Sequence, residues 1–351
     1  QVVSAKATTA VSSGNILTVW NAGNLVGATG TATGNYGVAN VGFSAATFTD
    51  AQAGNLTVTA NNTAAGGNTG ITQSAAITDN VNGSNITFTS NNSITQSGTI
   101  SMLANTSGTP AALTYDTTSG NNTSAITAGG AFTFGTGSTS NINYLMKANG
   151  AALNPGSIGT STVVLPGTVT IDNTYGTAGI LAPASGYITT ANVATAGVAT
   201  TSVGVNINNA IYARDNITIK GASNGAQGLD YSVAITSTAG DVTMSGLTTT
   251  NWGLYNNVAS TITANNITLA GLSSGVTAGW AAYVGAMTIN STSLNANITV
   301  TATESTAGGN NGLTQTGAIA GANGTNILFK SNNTINQTGA ISMVANTSGN
   351  V

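Results

Sequence analysis

The chain has 351 residues but only 5 basic and 8 acidic side chains, a formal net charge of −3, and neither His nor Cys. Nucleic-acid binding relies on clustered Lys and Arg that displace counterions from phosphates, so this composition argues against such a partner. It also leaves little material for acid–base or metal chemistry, and no cofactor or metal is expected. Hydrophobic residues make up 40% of the chain, much of it as short Val- and Ile-rich runs, which is enough apolar surface to fold. No run approaches the ~18–20 apolar residues of a membrane-spanning helix.

In chain order, the text opens on strand-like residues, Gln1-Val2-Val3-Ser4-Ala5-Lys6, without the basic and apolar regions of a signal peptide. A phrase of Asn, aliphatic residue, Thr and aliphatic residue first surfaces near Asn15 and recurs from Asn55 and Asn85. A second phrase appears at Ile71-Thr72-Gln73-Ser74 and returns at Ile94-Thr95-Gln96-Ser97. In mid-chain the first phrase is regular: Asn216-Ile217-Thr218-Ile219, Asp241-Val242-Thr243-Met244 and Asn266-Ile267-Thr268-Leu269 start at equal intervals. Further starts follow at Asn297 and Asn326.

A longer repeat overlies this rhythm. Residues 55–108 match residues 297–349 at 33 of 53 aligned positions, with one gap opposite Val81 and an offset of 242 before it and 241 after it. Val41-Gly42 and Val284-Gly285 form a weaker echo upstream of each copy. The expectation is one continuous unit over residues 1–351, an excerpt of a longer array with a period of about 241 residues.

A spacing of 20–30 residues is about one coil of a β-solenoid, whose successive coils stack as parallel strands roughly 4.8 Å apart. The predicted fold is therefore all-β, a parallel β-helix of fourteen or so coils. Period-two alternation sends aliphatic residues inward and Thr outward. The predicted core stack is Leu56, Ile86, Ile217, Val242, Ile267, Ile298 and Ile327. The heads of the phrases, Asn55, Asn85, Asn216, Asp241, Asn266, Asn297 and Asn326, are placed at corners, where short polar side chains bond to local backbone and can ladder along the axis. Antiparallel sandwich modules are the structural rival, but they repeat near 100 residues around buried aromatics, whereas aromatics are 5% here.

The phrases Gly54-Asn55-Leu56-Thr57-Val58-Thr59, Asn85-Ile86-Thr87-Phe88-Thr89 and Gly240-Asp241-Val242-Thr243-Met244 resemble the repeat regions of filamentous-haemagglutinin-like exoproteins and autotransporter passengers. The resemblance implies a right-handed parallel β-helix exported to the cell surface of a Gram-negative bacterium and used for adhesion, aggregation or biofilm. The secretion domain of that family carries Asn-Pro motifs; the Asn154-Pro155 pair here sits in mid-chain and is not matched to it.

Four groups of residues carry candidate chemistry. The densest charges, Arg214, Asp215, Lys220, Asp230 and Asp241, could line a carbohydrate-cleaving cleft, or could be solvated neighbours of a corner ladder. The pairs Thr47/Thr49, Thr57/Thr59, Thr87/Thr89 and Thr299/Thr301 could form ranks like those of ice-binding solenoids, although Thr is simply a good strand residue. Trp20, Trp252, Trp280, Tyr255 and Tyr283 could cap sugar-binding patches or serve packing. Asn-x-Ser/Thr acceptors, Asn91 and Asn105 among them, are plentiful in so Asn- and Thr-rich a text. The expected function is non-catalytic: a rigid extracellular rod for adhesion to a cell-surface or glycan ligand. The alternative is a filament, sheath or surface layer built by lateral or end-to-end self-association.

Overall fold

The computed structural model describes residues 2–5, 40–43, 46–48, 56–60 and 69–345, apart from 75, 80–81, 84, 107–108, 136–140, 176–198, 274–280, 286 and 305–310. Among these residues there is no helix, and the strands form sheets of 12, 10, 6 and 4 strands. All pairings between named strands that carry the coils are parallel, for example Ile217–Ser223 with Val242–Thr248 and that strand with Ile267–Ser273. Parallel pairing of strands one phrase apart in sequence excludes the antiparallel sandwich and defines a β-solenoid.

Each coil visits three faces in the same order. Leu229–Tyr231 lies in the 12-stranded sheet, Ile235–Ser237 in the 6-stranded sheet and Val242–Thr248 in the 10-stranded sheet. The 4- and 6-stranded sheets occupy one face, linked by bridges from Ile158 to Phe132 and to Ile211. Among the described residues the longest sheet counts 12 strands, against an expectation of fourteen or so coils, and these 12 strands stack over about 50 Å. Coil length is the reason: the step from Val169 to its partner Ile217 spans nearly two ordinary coils of chain.

The alternation that predicts strands also builds the core. Ile217, Val242, Ile267 and Ile298 succeed one another in register and are fully buried, and Ile298 pairs with Ile327, which packs half-buried against the same core. Leu56 pairs with Ile86 in the first copy. Phe88 and Tyr115 stack within the core at a centroid distance of 5.4 Å, and Tyr144 continues the stack at 5.8 Å. Each fully buried Leu or Ile contributes about 1.5–3 kcal/mol relative to exposure, so a column one residue wide is a large share of the driving force.

Behind the core phrase runs a second regularity that sequence reading passed over. Gly221, Gly246 and Gly271 stand in register, followed two positions later by Ser223, Thr248 and Ser273. A methyl on Gly246 would land on the carbonyl oxygen of Gly253, because the chain folds back against itself there on its way to the next face. The buried hydroxyls fasten this corner: Ser223 Oγ donates to Ser202 O at 2.7 Å, Thr248 Oγ1 to Ala226 O at 2.7 Å and Ser273 Oγ to Asn251 O at 2.9 Å. Each therefore gives a turn carbonyl a hydrogen-bond donor.

The upstream echo does not survive as a structural equivalence. Val41 pairs with Ile71, whereas Leu313, which corresponds to Ile71 in the long repeat, pairs with Ala282. The matching dipeptide Val284-Gly285 lies two residues out of step.

Candidate functional site

The outward face of the 10-stranded sheet carries three parallel files of side chains. The first is headed by the Asn positions. Asn216 Oδ1 accepts from the Asp241 backbone N–H at 2.9 Å, Asp241 Oδ1 from Asn266 N–H at 3.0 Å, and Asn266 Oδ1 from Asn297 N–H at 2.9 Å. Side-chain bonds reinforce two steps, from Asn266 Nδ2 to Asp241 at 2.9 Å and from Asn326 Nδ2 to Asn297 Oδ1 at 3.3 Å. The first three steps run from a side-chain oxygen to the backbone N–H of the next coil and the last, Asn297 to Asn326, between side chains; bonds to local backbone and along the axis were both expected. Earlier in the chain Asn143 Oδ1 does the same for Thr168 N–H at 3.0 Å. Asn85 pairs with Ala112, which has no side-chain acceptor to continue the file, and Asn55 lies outside the described residues.

The second file is almost all threonine: Thr57, Thr87, Thr114, Leu145, Thr170, Thr218, Thr243, Thr268, Thr299 and Leu328 follow in register. The third, two residues further on, contains Thr59, Thr89, Asp116, Lys147, Asp172, Lys220, Ser245, Ala270, Thr301 and Lys330. Its middle alternates in sign, with Lys147 Nζ 3.0 Å from Asp116 and Lys220 Nζ 3.4 Å from Asp172. Because only the first file of hydroxyls is sustained, the Thr-x-Thr pairs do not make a two-rank face.

The outward face of the 12-stranded sheet differs. Asn206 pairs with Asp230, Asp230 with Tyr255, Tyr255 with Tyr283 and Tyr283 with Thr314. Trp252 lies against Tyr255 with centroids 4.1 Å apart and planes 7° from parallel, and Tyr283 follows Tyr255 at 5.6 Å and 35°. Asn206, Asp230 and all three rings are half-buried. Burial raises the Asp230 carboxyl above the ordinary range, an effect partly offset by the Tyr231 backbone N–H. Trp20 and Trp280 lie outside the described residues.

The charges suspected of forming a cleft are dispersed. Arg214 is engaged by its own neighbour Asp215 at 2.8 Å, Lys220 by Asp172, and Asp241 belongs to the Asn file, while Asp230 stands on a different face. The described residues contain no group of three or more metal-ligating side chains and no helix long and apolar enough to cross a membrane.

The fold and its faces define a β-solenoid repeat protein. Comparison with family models, with curated proteins and with solved structures returns no match.

Proposed function

We propose that this chain is a stretch of a non-catalytic, extracellular rod that adheres through its repeated outer faces, in the manner of the filamentous-haemagglutinin-like and autotransporter exoproteins its phrases resemble. The observation that carries this reading is the file of eight threonines on one sheet, interrupted once by Leu145, beside the Asn ladder. Such a file presents identical neutral hydrogen-bonding groups at a fixed spacing, so weak contacts add through multivalency. Stiffness follows from the same register that aligns them. Beads coated with the chain at graded density should attach to cell or tissue surfaces with a steep dependence on density. Attachment no greater than that of beads carrying a globular protein of equal charge, at every density, contradicts the reading.

Self-assembly is a second reading, favoured by one feature. The chain carries only 5 basic and 8 acidic side chains, so little electrostatic repulsion opposes contact between rods. Light scattering of the purified chain should then show growth with concentration; a persistent monomer removes this reading.

A further inference from the structure

Five Asn-Gly pairs occur in the chain, headed by Asn82, Asn149, Asn224, Asn311 and Asn323. Such a pair is chemically labile, because glycine has no Cβ to obstruct ring closure between its nitrogen and the preceding side-chain amide carbon. The fold treats the five differently. Gly150 is buried and its N–H is donated to Asn173 O at 2.6 Å, which removes it as a nucleophile. Gly225 N–H is held by Ser223 Oγ at 3.2 Å, and Asn224 Oδ1 takes a bond from Thr249 Oγ1 at 2.6 Å. Gly312 is buried inside the strand Asn311–Gln315. Gly83 sits half-buried at a turn, and among the described residues its N–H has no acceptor. Its φ of +82° and the Asn105 amide packed over it, with Cγ 3.1 Å from where a Cβ would stand, require glycine at this position.

Asn82 is exposed, and the next coil grips its amide by both atoms. Thr106 N–H donates to Asn82 Oδ1 at 3.1 Å, while Asn82 Nδ2 donates to Thr106 Oγ1 at 3.0 Å. The first contact aims a donor at the oxygen where negative charge grows when Cγ becomes tetrahedral. The second sets a hydroxyl on the nitrogen that must leave. Asn323-Gly324 forms the equivalent turn of the second copy, with Gly324 at φ +75°; the counterpart of Thr106, Thr347, lies outside the described residues.

We infer that Asn82 is a self-modifying site, at which Thr106 assists conversion of the Asn82-Gly83 pair to a succinimide and then to aspartate and isoaspartate. Gly83 N loses its proton to solvent base and bonds to Asn82 Cγ, and the displaced electron pair rests on Oδ1 under the Thr106 N–H. Collapse breaks the Cγ–Nδ2 bond. Nδ2 leaves as ammonia with a proton from Thr106 Oγ1, which water replaces. Water then opens the imide at either carbonyl. Each event adds a carboxylate to a chain with only 8 acidic side chains, and the isoaspartate route lengthens the main chain by a methylene at a coil corner.

The purified chain, held in mildly alkaline buffer and followed by peptide mass spectrometry and isoaspartyl methylation, should accumulate product at Asn82 well ahead of Asn149. Thr106→Val should slow conversion about tenfold, short of the ~10²-fold of a well-tuned acid because a Thr hydroxyl is a weak one, and Thr106→Ser should keep the parent rate. Thr106 is exposed, so both variants should retain the circular dichroism of the parent. No product at Asn82 while the urea-unfolded chain reacts there overturns the site, as does conversion at Asn149 equally fast. A folded Thr106→Val variant that reacts at or above the parent rate also overturns it, since the clamp would then only restrain the amide.

Discussion

Asn266 reaches Asp241 twice, once through its backbone N–H at 3.0 Å and once through its side-chain amide at 2.9 Å, both on the same Oδ1. One acceptor therefore joins two successive coils. Asp241→Asn keeps that oxygen and should leave stability within about 0.5 kcal/mol, while Asp241→Ala strands the Asn266 N–H and should cost about 1–3 kcal/mol. Urea unfolding of the two variants side by side distinguishes a ladder from a solvated corner.

The glycine column makes a sharper demand. Gly246→Ala places a methyl against the Gly253 carbonyl in a stretch where backbone meets backbone, leaving no flexible side chain to yield. The expected loss is about 3 kcal/mol or more, at the upper end of overpacking. A Gly→Ala change that merely removed unfolded-state entropy would instead stabilise by about 0.4–1 kcal/mol, so the sign of the shift in a thermal melt decides.

How much of this was legible beforehand depended on whether spacing was kept. The Ile-Thr-Ile alternation and the equal steps from Ile217 to Val242 to Ile267 put the coil, the inward column and the Asn heads in plain view. The alternating charges were not legible, because the intervals between Asp116, Lys147, Asp172 and Lys220 all differ and no single period aligns them. Sequence proximity instead grouped Lys220 with Asp230 and Asp241, which coiling sends to another face and another file. The Gly221 and Ser223 columns could have been found, since Gly246-Leu247-Thr248 and Gly271-Leu272-Ser273 repeat the Gly-x-hydroxyl pattern at the same spacing. The stack of Trp252 on Tyr255 was not legible as a pairing, because the backbone between them must turn from corner into strand before their rings become parallel.

Lys147 sits between Asp116 and Asp172 in register. Lys147→Glu would put three carboxylates in consecutive coils and should destabilise by about 1 kcal/mol at low salt, since like charges facing across strands oppose pairing. In 1 M salt, where screening acts over about 3 Å, most of that loss should disappear. Lys147→Met should show little salt dependence. Melting temperatures at both ionic strengths check both expectations.

Glu304 is 3% exposed, takes a 2.7 Å bond from Asn333 Nδ2, and has its carboxyl raised above 4.5 chiefly by burial. A carboxyl with a raised folded pKa binds its proton more tightly when folded. Its favourable contribution is therefore complete below about pH 4.5 and is lost as pH rises through the folded value. Glu304→Gln should remove this dependence, so the stability of the variant relative to the parent should climb from pH 4 to pH 8. Asp230, shifted in the same direction, leaves a residual slope in both proteins.

Spin labels on the Thr file test the stacked register most directly, using Cys pairs at Thr114 with Thr243, Thr114 with Thr299, and Thr57 with Thr299. These pairs lie four, six and eight strands apart in the 10-stranded sheet. Pulsed electron resonance should therefore give distances of about 19 Å, about 29 Å and about 38 Å, increasing linearly with strand number. Distances that fail to increase in that order, or a Thr57–Thr299 separation below the other two, would contradict the parallel solenoid and the aligned faces built on it.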